Sequence, residues 1–362
     1  MRVLIMADPV FASREHVLLR RLEIGLADEG VGVVHALPES VVAQADAPVF
    51  ARVLAYEGDG FPFTRGSRAS RLRAQLEGDG EPITLVHAFG GRAWAMASEV
   101  ARQAKAGLVL EIWRTGLSHR AASVSASKHR PEPMALLSAD ESITHALVES
   151  GVSARIFASP WGVHAPPEPR RLFEPGRLPA IVICGSGRDG RGYASAMAAL
   201  AHAAEKGHEF AVFADAMAAH RAGLWPLAQK LGLADRLSLI EDVEPRRDLL
   251  LKCDVIMQPE ALGEQRSLVL DAMGAGMVVL AAPQDHSATL IDGVTARLLP
   301  PGDLPAWQRA VLDVLGDPAG AAQLGRRAHA FVREKHRPST HVSAVLEAYR
   351  WLTASDPLPM LP

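Results

Sequence analysis

The regular return of short apolar runs between stretches of helical spacing constrains this chain more than any other feature. In the first half the runs are "RVLIMA", "VGVVHAL", "ITLVHAF", "GLVLEIW", "MALLSA" and "ARIFAS", with helices predicted over about Glu15–Asp28, Ala93–Ala104 and Glu141–Ser150. After residue 179 the pattern restarts with "AIVICGSG", "EFAVFA", "LSLIED", "DVIMQP" and "MVVLAA". Alternation of this kind describes βα units stacked into parallel sheets. Between the two series lies "PWGVHAPPEPRRLFEPGRLP", where proline stiffens the chain and excludes regular structure, as in a linker or hinge. The expected boundary lies near residues 165–177. The domains are then 1–165 and 166–337, with a terminal helix over 338–362 that packs back on the first. The stretches "DGFPFTRGSRASRLRAQLEGDG" and "SHRAASVSASKHRPEP" read as long irregular loops, which in compact domains are often functional.

At 362 residues and 48% hydrophobic, the chain can fill more than one core, which agrees with two domains. A net charge of -3, from 38 basic and 41 acidic residues, gives no electrostatic footprint for nucleic acid. The opening run breaks at Asp8 and Pro9 and reads as a first strand, not a leader. No apolar stretch reaches the roughly 18 to 20 residues of a membrane span, so membrane contact would be peripheral. Cys184 and Cys253 lie far apart in or beside apolar runs, as buried reduced thiols do, which points to the cytoplasm.

Two stretches carry chemistry. Gly185, Gly187 and Gly190 form G-x-G-x-x-G directly after a strand and at the opening of a helix, where backbone N–H groups can meet a pyrophosphate. Arg188 and Arg191 share that loop and repel each other unless solvated or given an anion, for which a diphosphate is suited. A tight strand–helix turn with a solvated face accounts for the same residues. Asp215, 25 residues beyond Gly190, is a loose match to the acidic residue of a dinucleotide site. In "GEQRSLVLDAMGAG", Ser267 can cap a helix whose buried face is Leu268, Val269, Leu270, Ala272 and Met273, ended by Gly274 or Gly276. Glu260, Glu264 and Asp271 cluster there, and carboxylates accept well from sugar and ribose hydroxyls.

The run "KCDVIMQPEALGEQRSLVLDAMGAGMVVLAAPQDHSATLIDGVTARLLPPGD" resembles the donor-binding region of retaining GT-B glycosyltransferases of the large nucleotide-sugar-dependent family, the group 1 type. That family shows an acidic residue, seven intervening residues and a Glu, then A-M-A-x-G and I-x-D-G-x-T-G. "SADESITHALVESGV" and "SPWGVH" echo it more weakly, and "CGSGRDGRG" falls where the family has V-G-R-L-x-x-x-K-G. The resemblance implies an α/β GT-B fold, two Rossmann-like parallel-sheet domains facing across a cleft.

It also implies sugar transfer with retention from a UDP- or GDP-linked donor to an unidentified acceptor, with no cofactor or metal required. Asp271 would hold the ribose hydroxyls, and Glu264 the donor sugar if the turn shifts by one residue, since Gly263 stands eight before Asp271. Gly185, Ser186, Gly187, Leu268 and Val243 would line the nucleotide pocket. Ser186 replaces the family's arginine, Arg191 takes the lysine position and Arg188 is a stand-in, both facing the departing diphosphate. In the first half "FASREH" replaces a glycine-rich loop, and "LEIWRTG" puts Trp113 where a histidine is often found. His16, His87, His119, Trp113 and Arg114 are the acceptor-side candidates, each His having a structural alternative. Two rivals remain: a GT-B-shaped protein that binds a nucleotide or partner without transfer, and an NAD-dependent enzyme, for which no nicotinamide-facing group is evident.

Overall fold

The computed structural model of the chain describes residues 1–42, 52–58, 61–78, 81–241 and 243–354. They form two compact units, Met1–Gly162 with the chain from Pro338 onward, and Val163–Arg337. In the first, seven parallel strands are β1 (Arg2–Ala7), β2 (Gly32–Pro38), β3 (Arg52–Tyr56), β4 (Leu85–Phe89), β5 (Gly107–Ile112), β6 (Met134–Ser138) and β7 (Arg155–Ala158), ordered β3-β2-β1-β4-β5-β6-β7. In the second, six parallel strands are β8 (Ala180–Ile183), β9 (Ala211–Asp215), β10 (Leu237–Ile240), β11 (Val255–Gln258), β12 (Val278–Ala281) and β13 (Arg297–Leu298), ordered β10-β9-β8-β11-β12-β13. Two parallel-sheet α/β units are what the alternation predicts.

Strand position follows from side-chain pattern. A parallel strand covered by helices on both faces is apolar throughout, whereas an edge strand keeps polar residues. β4, β5, β6, β11 and β12 are buried at every residue and lie inside their sheets, as does β1 after its first residue. β3, β7 and β10 each keep exposed residues and lie at edges.

β3 and β13 carry no expectation in the sequence reading, and two supposed loops are partly helical. Arg65–Glu77 is a helix that buries Ala69, Leu72 and Leu76 at helical spacing, a stripe hidden among four arginines. Ser118–Ser125 is a helix that buries only Ser118, Ala121 and Ser125, residues too small to write an apolar pattern. Residues 59–60 and 79–80 of the first stretch lie outside the described residues, as do Asp242 of "LSLIED" and 355–362 of the terminal helix. The first predicted helix is His16–Asp28, and a further short helix, Pro9–Arg14, precedes it. Asp8 caps the short helix by accepting from Phe11 N at 2.8 Å, so part of "FASREH" is helical.

The proline-rich passage has no helix or strand and is tied to the second unit by one carboxylate. Asp254, fully buried at the foot of β11, accepts from Phe173 N at 2.8 Å and Ala180 N at 2.9 Å and pairs with Arg177. Further along, His329 Nε2 lies 2.8 Å from the Pro166 carbonyl oxygen. Cys184 and Cys253 are buried free thiols. No helix among the described residues is long and apolar enough to cross a membrane.

The terminal helix Pro338–Thr353 belongs to the first unit, where it buries Val342, Val345, Leu346, Tyr349 and Leu352. Gly25 permits its approach, because a Cβ there would overlap Val342. It also closes a polar cluster in the core. The Tyr349 hydroxyl is 2.8 Å from His87 Nδ1, Glu111 Oε2 is 3.4 Å from His87 Nε2, and Trp161 Nε1 donates to Glu111 Oε1 at 2.7 Å. Burial disfavours both charged forms. It lowers His87 from 6.5 to about 3 and raises Glu111 from 4.5 to about 7, the latter against the opposing pull of His341 and the Trp161 bond.

The two shifts act oppositely on stability. Neutral His87 stabilises the fold above pH 6.5, and that contribution is lost as pH falls toward about 3. Protonated Glu111 stabilises it below pH 4.5, and that contribution is lost as pH rises through about 7. Between pH 4.5 and 6.5 each state carries one proton on the pair, so the pair contributes no slope. Glu111→Gln leaves His87 alone. Relative to the parent, the variant is expected to lose about 1.4 kcal/mol per pH unit in urea unfolding as pH falls from 6.5 to 4.5. Parallel profiles for the two proteins would contradict this.

Candidate functional site

In the second sheet the strand order reverses between β8 and β11, and open α/β sheets bind ligands beyond the strand ends at such a switch. Two segments meet there, Gly185–Asp189 after β8 and Pro259–Glu264 after β11. Gly187 has φ +73°, and a Cβ on it would overlap the Ala218 carbonyl oxygen. A Cβ at Gly192, in the first turn of the helix Gly190–Glu205, would overlap the Pro259 carbonyl oxygen. These glycines bring the loop and the helix against their neighbours.

The loop N–H groups converge on Glu260, which is 4% exposed. Its carboxylate accepts from Ser186 N, from Arg188 N at 3.0 Å, from Asp189 N at 3.4 Å and from Ser186 Oγ at 3.1 Å. Gly187 N donates to the Tyr193 hydroxyl at 3.2 Å, which in turn donates to the Cys184 carbonyl at 3.3 Å. Burial, then the nearby Glu260 carboxylate, pushes the Tyr193 hydroxyl pKa up, so it stays protonated. Asp189 caps the helix by accepting from Arg191 N at 3.2 Å and Gly192 N at 3.3 Å. The Arg188 and Arg191 side chains are exposed, and no carboxylate among the described residues forms an ion pair with either. The Arg191 guanidinium lies over Gly302, where a Cβ would fall 2.7 Å from Nη2. Arg221 adds a third cation, donating to the Ser186 carbonyl at 2.6 Å.

Beyond β11, Gly263 takes φ +61° and turns the chain into Glu264, which is 5% exposed. The helix then runs Ser267–Gly274 with Arg266 at its N-cap, so Ser267 is its first residue instead of the cap, and Asp271 lies one turn in. Arg247 fixes this end of the site. Its Nη1 donates to Asp271 Oδ2 at 2.7 Å and to Ser267 Oγ at 3.0 Å, while Nη2 pairs with Glu244. All four residues are buried. Removing one partner from such a cluster leaves a desolvated charge and costs about 3 to 5 kcal/mol. Leu268 is buried beside Ser267, and Val243 is half-buried beside Glu244.

In the first unit Trp113 is 2% exposed, edge-on to Phe11 at 5.6 Å, with the Arg14 and Arg114 guanidinium centres 5.6 and 5.4 Å from its ring. His16 opens the helix His16–Asp28 and is half-buried, while His119 is exposed. His87 is fully enclosed, its ring tilted by 33° against that of Phe89 with the centroids 4.1 Å apart. The switch between β1 and β4 also holds a carboxylate: Asp8 accepts from Arg92 N at 3.0 Å beneath Gly90, where a Cβ would overlap it.

The structure therefore gathers Gly185, Ser186, Gly187, Arg188 and Arg191 at one loop and Asp271 and Leu268 on the helix that follows β11. Glu260, grouped by sequence with Glu264 and Asp271, faces the glycine loop instead. Arg247, Glu244, Arg221 and Tyr193 were not anticipated, and only the loop glycine spacing hinted that something must pack close there. Among the described residues no three His, Cys, Asp or Glu side chains converge as a metal site.

No curated protein matches the chain. Among solved structures it is similar to Anabaena HepE in complex with UDP and glucose, 13% identical, TM-score 0.74, over 97% of this chain and 100% of that one. Sucrose-phosphate synthase from Thermosynechococcus elongatus is 16% identical, TM-score 0.71, over 98% and 100% of the two chains. A glycosyltransferase from Rickettsia africae is 13% identical, TM-score 0.71, over 98% and 99%. At these identities the likeness is one of fold, the GT-B pattern of two parallel-sheet α/β domains. Residues 179–317, which hold the glycine loop and the strands β8 to β13, match the family described as Glycosyl transferases group 1.

Proposed function

We propose that this chain is a retaining glycosyltransferase that takes a sugar from a UDP- or GDP-linked donor. The second unit binds the donor, and the first supplies the acceptor contacts, including Trp113 and Arg114. The observation that carries the reading is the pair of exposed, carboxylate-free guanidinium groups at the strand switch, in the segment that matches the family. In the reaction the bond from the anomeric carbon to the diphosphate oxygen breaks, and a bond to an acceptor hydroxyl forms on the same face. The hydroxyl proton passes to the departing diphosphate. Its developing charge is the demand on the protein, and one preorganised donor aimed at such charge is typically worth about 3 to 4 kcal/mol of barrier. Arg188 and Arg191 take that role, Asp271 accepts from the ribose and Glu264 from the sugar. The two buried thiols agree with a cytoplasmic setting.

A second reading is a nucleotide or protein binder that transfers nothing. It is favoured by Glu260 on the loop N–H groups and Arg247 on Asp271, which engage groups a donor would use.

Release of free nucleoside diphosphate from UDP-, GDP-, ADP- and dTDP-sugars decides between them. Release from one nucleotide class is expected; binding without release from any donor favours the second reading. Arg191→Ala should weaken nucleoside diphosphate binding about tenfold or more, since charge-assisted bonds are worth roughly 1.5 to 3 kcal/mol. Unchanged calorimetric affinity in a folded variant would remove Arg191 from the site. Glu264→Gln should cut transfer while leaving nucleoside diphosphate affinity nearly intact, and Asp271→Asn should weaken both; equal effects of the two variants on free nucleotide would refute the division of roles.

A further inference from the structure

The glycine loop makes a concavity of backbone N–H groups, a geometry that binds anions. Here its donors are fully accounted for from Ser186 to Asp189: three meet Glu260 and one meets Tyr193. The carboxylate comes from the far side of the strand switch, 74 positions along the chain from Ser186. It is therefore a tertiary ligand of the loop and not a local cap. Asp8 differs on this point, since one of its bonds goes to Phe11 in the helix it caps.

Resting on the donor reading above, we infer that Glu260 is an internal anion that sets the affinity of the glycine loop for the donor's diphosphate. A phosphate gains the N–H groups of Ser186 and Arg188 only by exchange with this carboxylate. The exchange is one anion for another, with no bond made or broken covalently. Both ligands offer charge-assisted acceptors to the same donors, so the net gain is the difference between them. Apparent affinity is reduced by the fraction of time Glu260 holds the loop. Arg188 and Arg191, exposed at the rim, favour the more highly charged ligand, and this directs the site to diphosphates over monophosphates.

The test uses the full chain and inorganic pyrophosphate. Glu260→Gln keeps the shape and removes the charge, and it should bind pyrophosphate and UDP about tenfold or more tightly than the parent by calorimetry. Glu260→Ala deletes the internal ligand. Its melting temperature should fall, then recover with added acetate, which leaves the parent's melting temperature unchanged against chloride at matched ionic strength. Pyrophosphate affinity equal to or below the parent in Glu260→Gln, or Glu260→Ala without anion recovery, would overturn the inference and leave Glu260 as a static clamp. Tighter pyrophosphate binding with no nucleoside diphosphate released from any sugar donor would uphold the inference and reject the transferase reading. Release by the parent with unchanged anion affinity in the variant would do the reverse.

Discussion

The carboxylate of Glu260 joins the ends of β8 and β11, and the arrangement around the strand switch follows from that contact. Backbone N–H groups that turn inward cannot be left unpaired without a penalty comparable to a lost hydrogen bond. A carboxylate satisfies several at once. With the loop held, Asp189 is placed to cap the following helix, Gly192 packs against Pro259, and Arg188 and Arg191 are left outside. The loop's own glycines make this possible by admitting positive φ and close backbone contact.

The same economy recurs. Asp8 fills the switch of the first sheet, Asp254 ties the proline-rich passage to the foot of β11, and Asp271 shares Arg247 with Glu244. Asp8 and Asp254 are buried carboxylates with two or more donors, and Asp271 is paired with a buried guanidinium, the conditions under which a desolvated charge is tolerated. Glu111 is the contrast. It has Trp161 as its hydrogen-bond donor, and burial raises it to about 7.

Much of this was legible because the central strands are read from single-residue chemistry. "LVHAF" and "DVIMQP" are continuous apolar runs and lie inside the sheets, and the histidine within the first is accordingly buried. Elements whose signal is relational were harder. β3 keeps exposed residues as an edge does, and the helix Arg65–Glu77 hides three apolar residues among arginines. At the site, the glycine loop between strand and helix was evident from spacing, but the partner it receives was not. Which carboxylate reaches the loop depends on the register of β11 against β8, a contact between segments remote in sequence. Nothing local in "EPRRDLLLK" marks Arg247 as the residue that meets Asp271, for the same reason.

A crystal structure of the chain with UDP bound tests the account most directly. The account predicts the ribose hydroxyls within hydrogen-bond distance of Asp271, and a phosphate oxygen on Ser186 N and Arg188 N with Glu260 turned away from them. UDP bound elsewhere, or a ribose out of reach of Asp271 with Glu260 still on the loop, would contradict it.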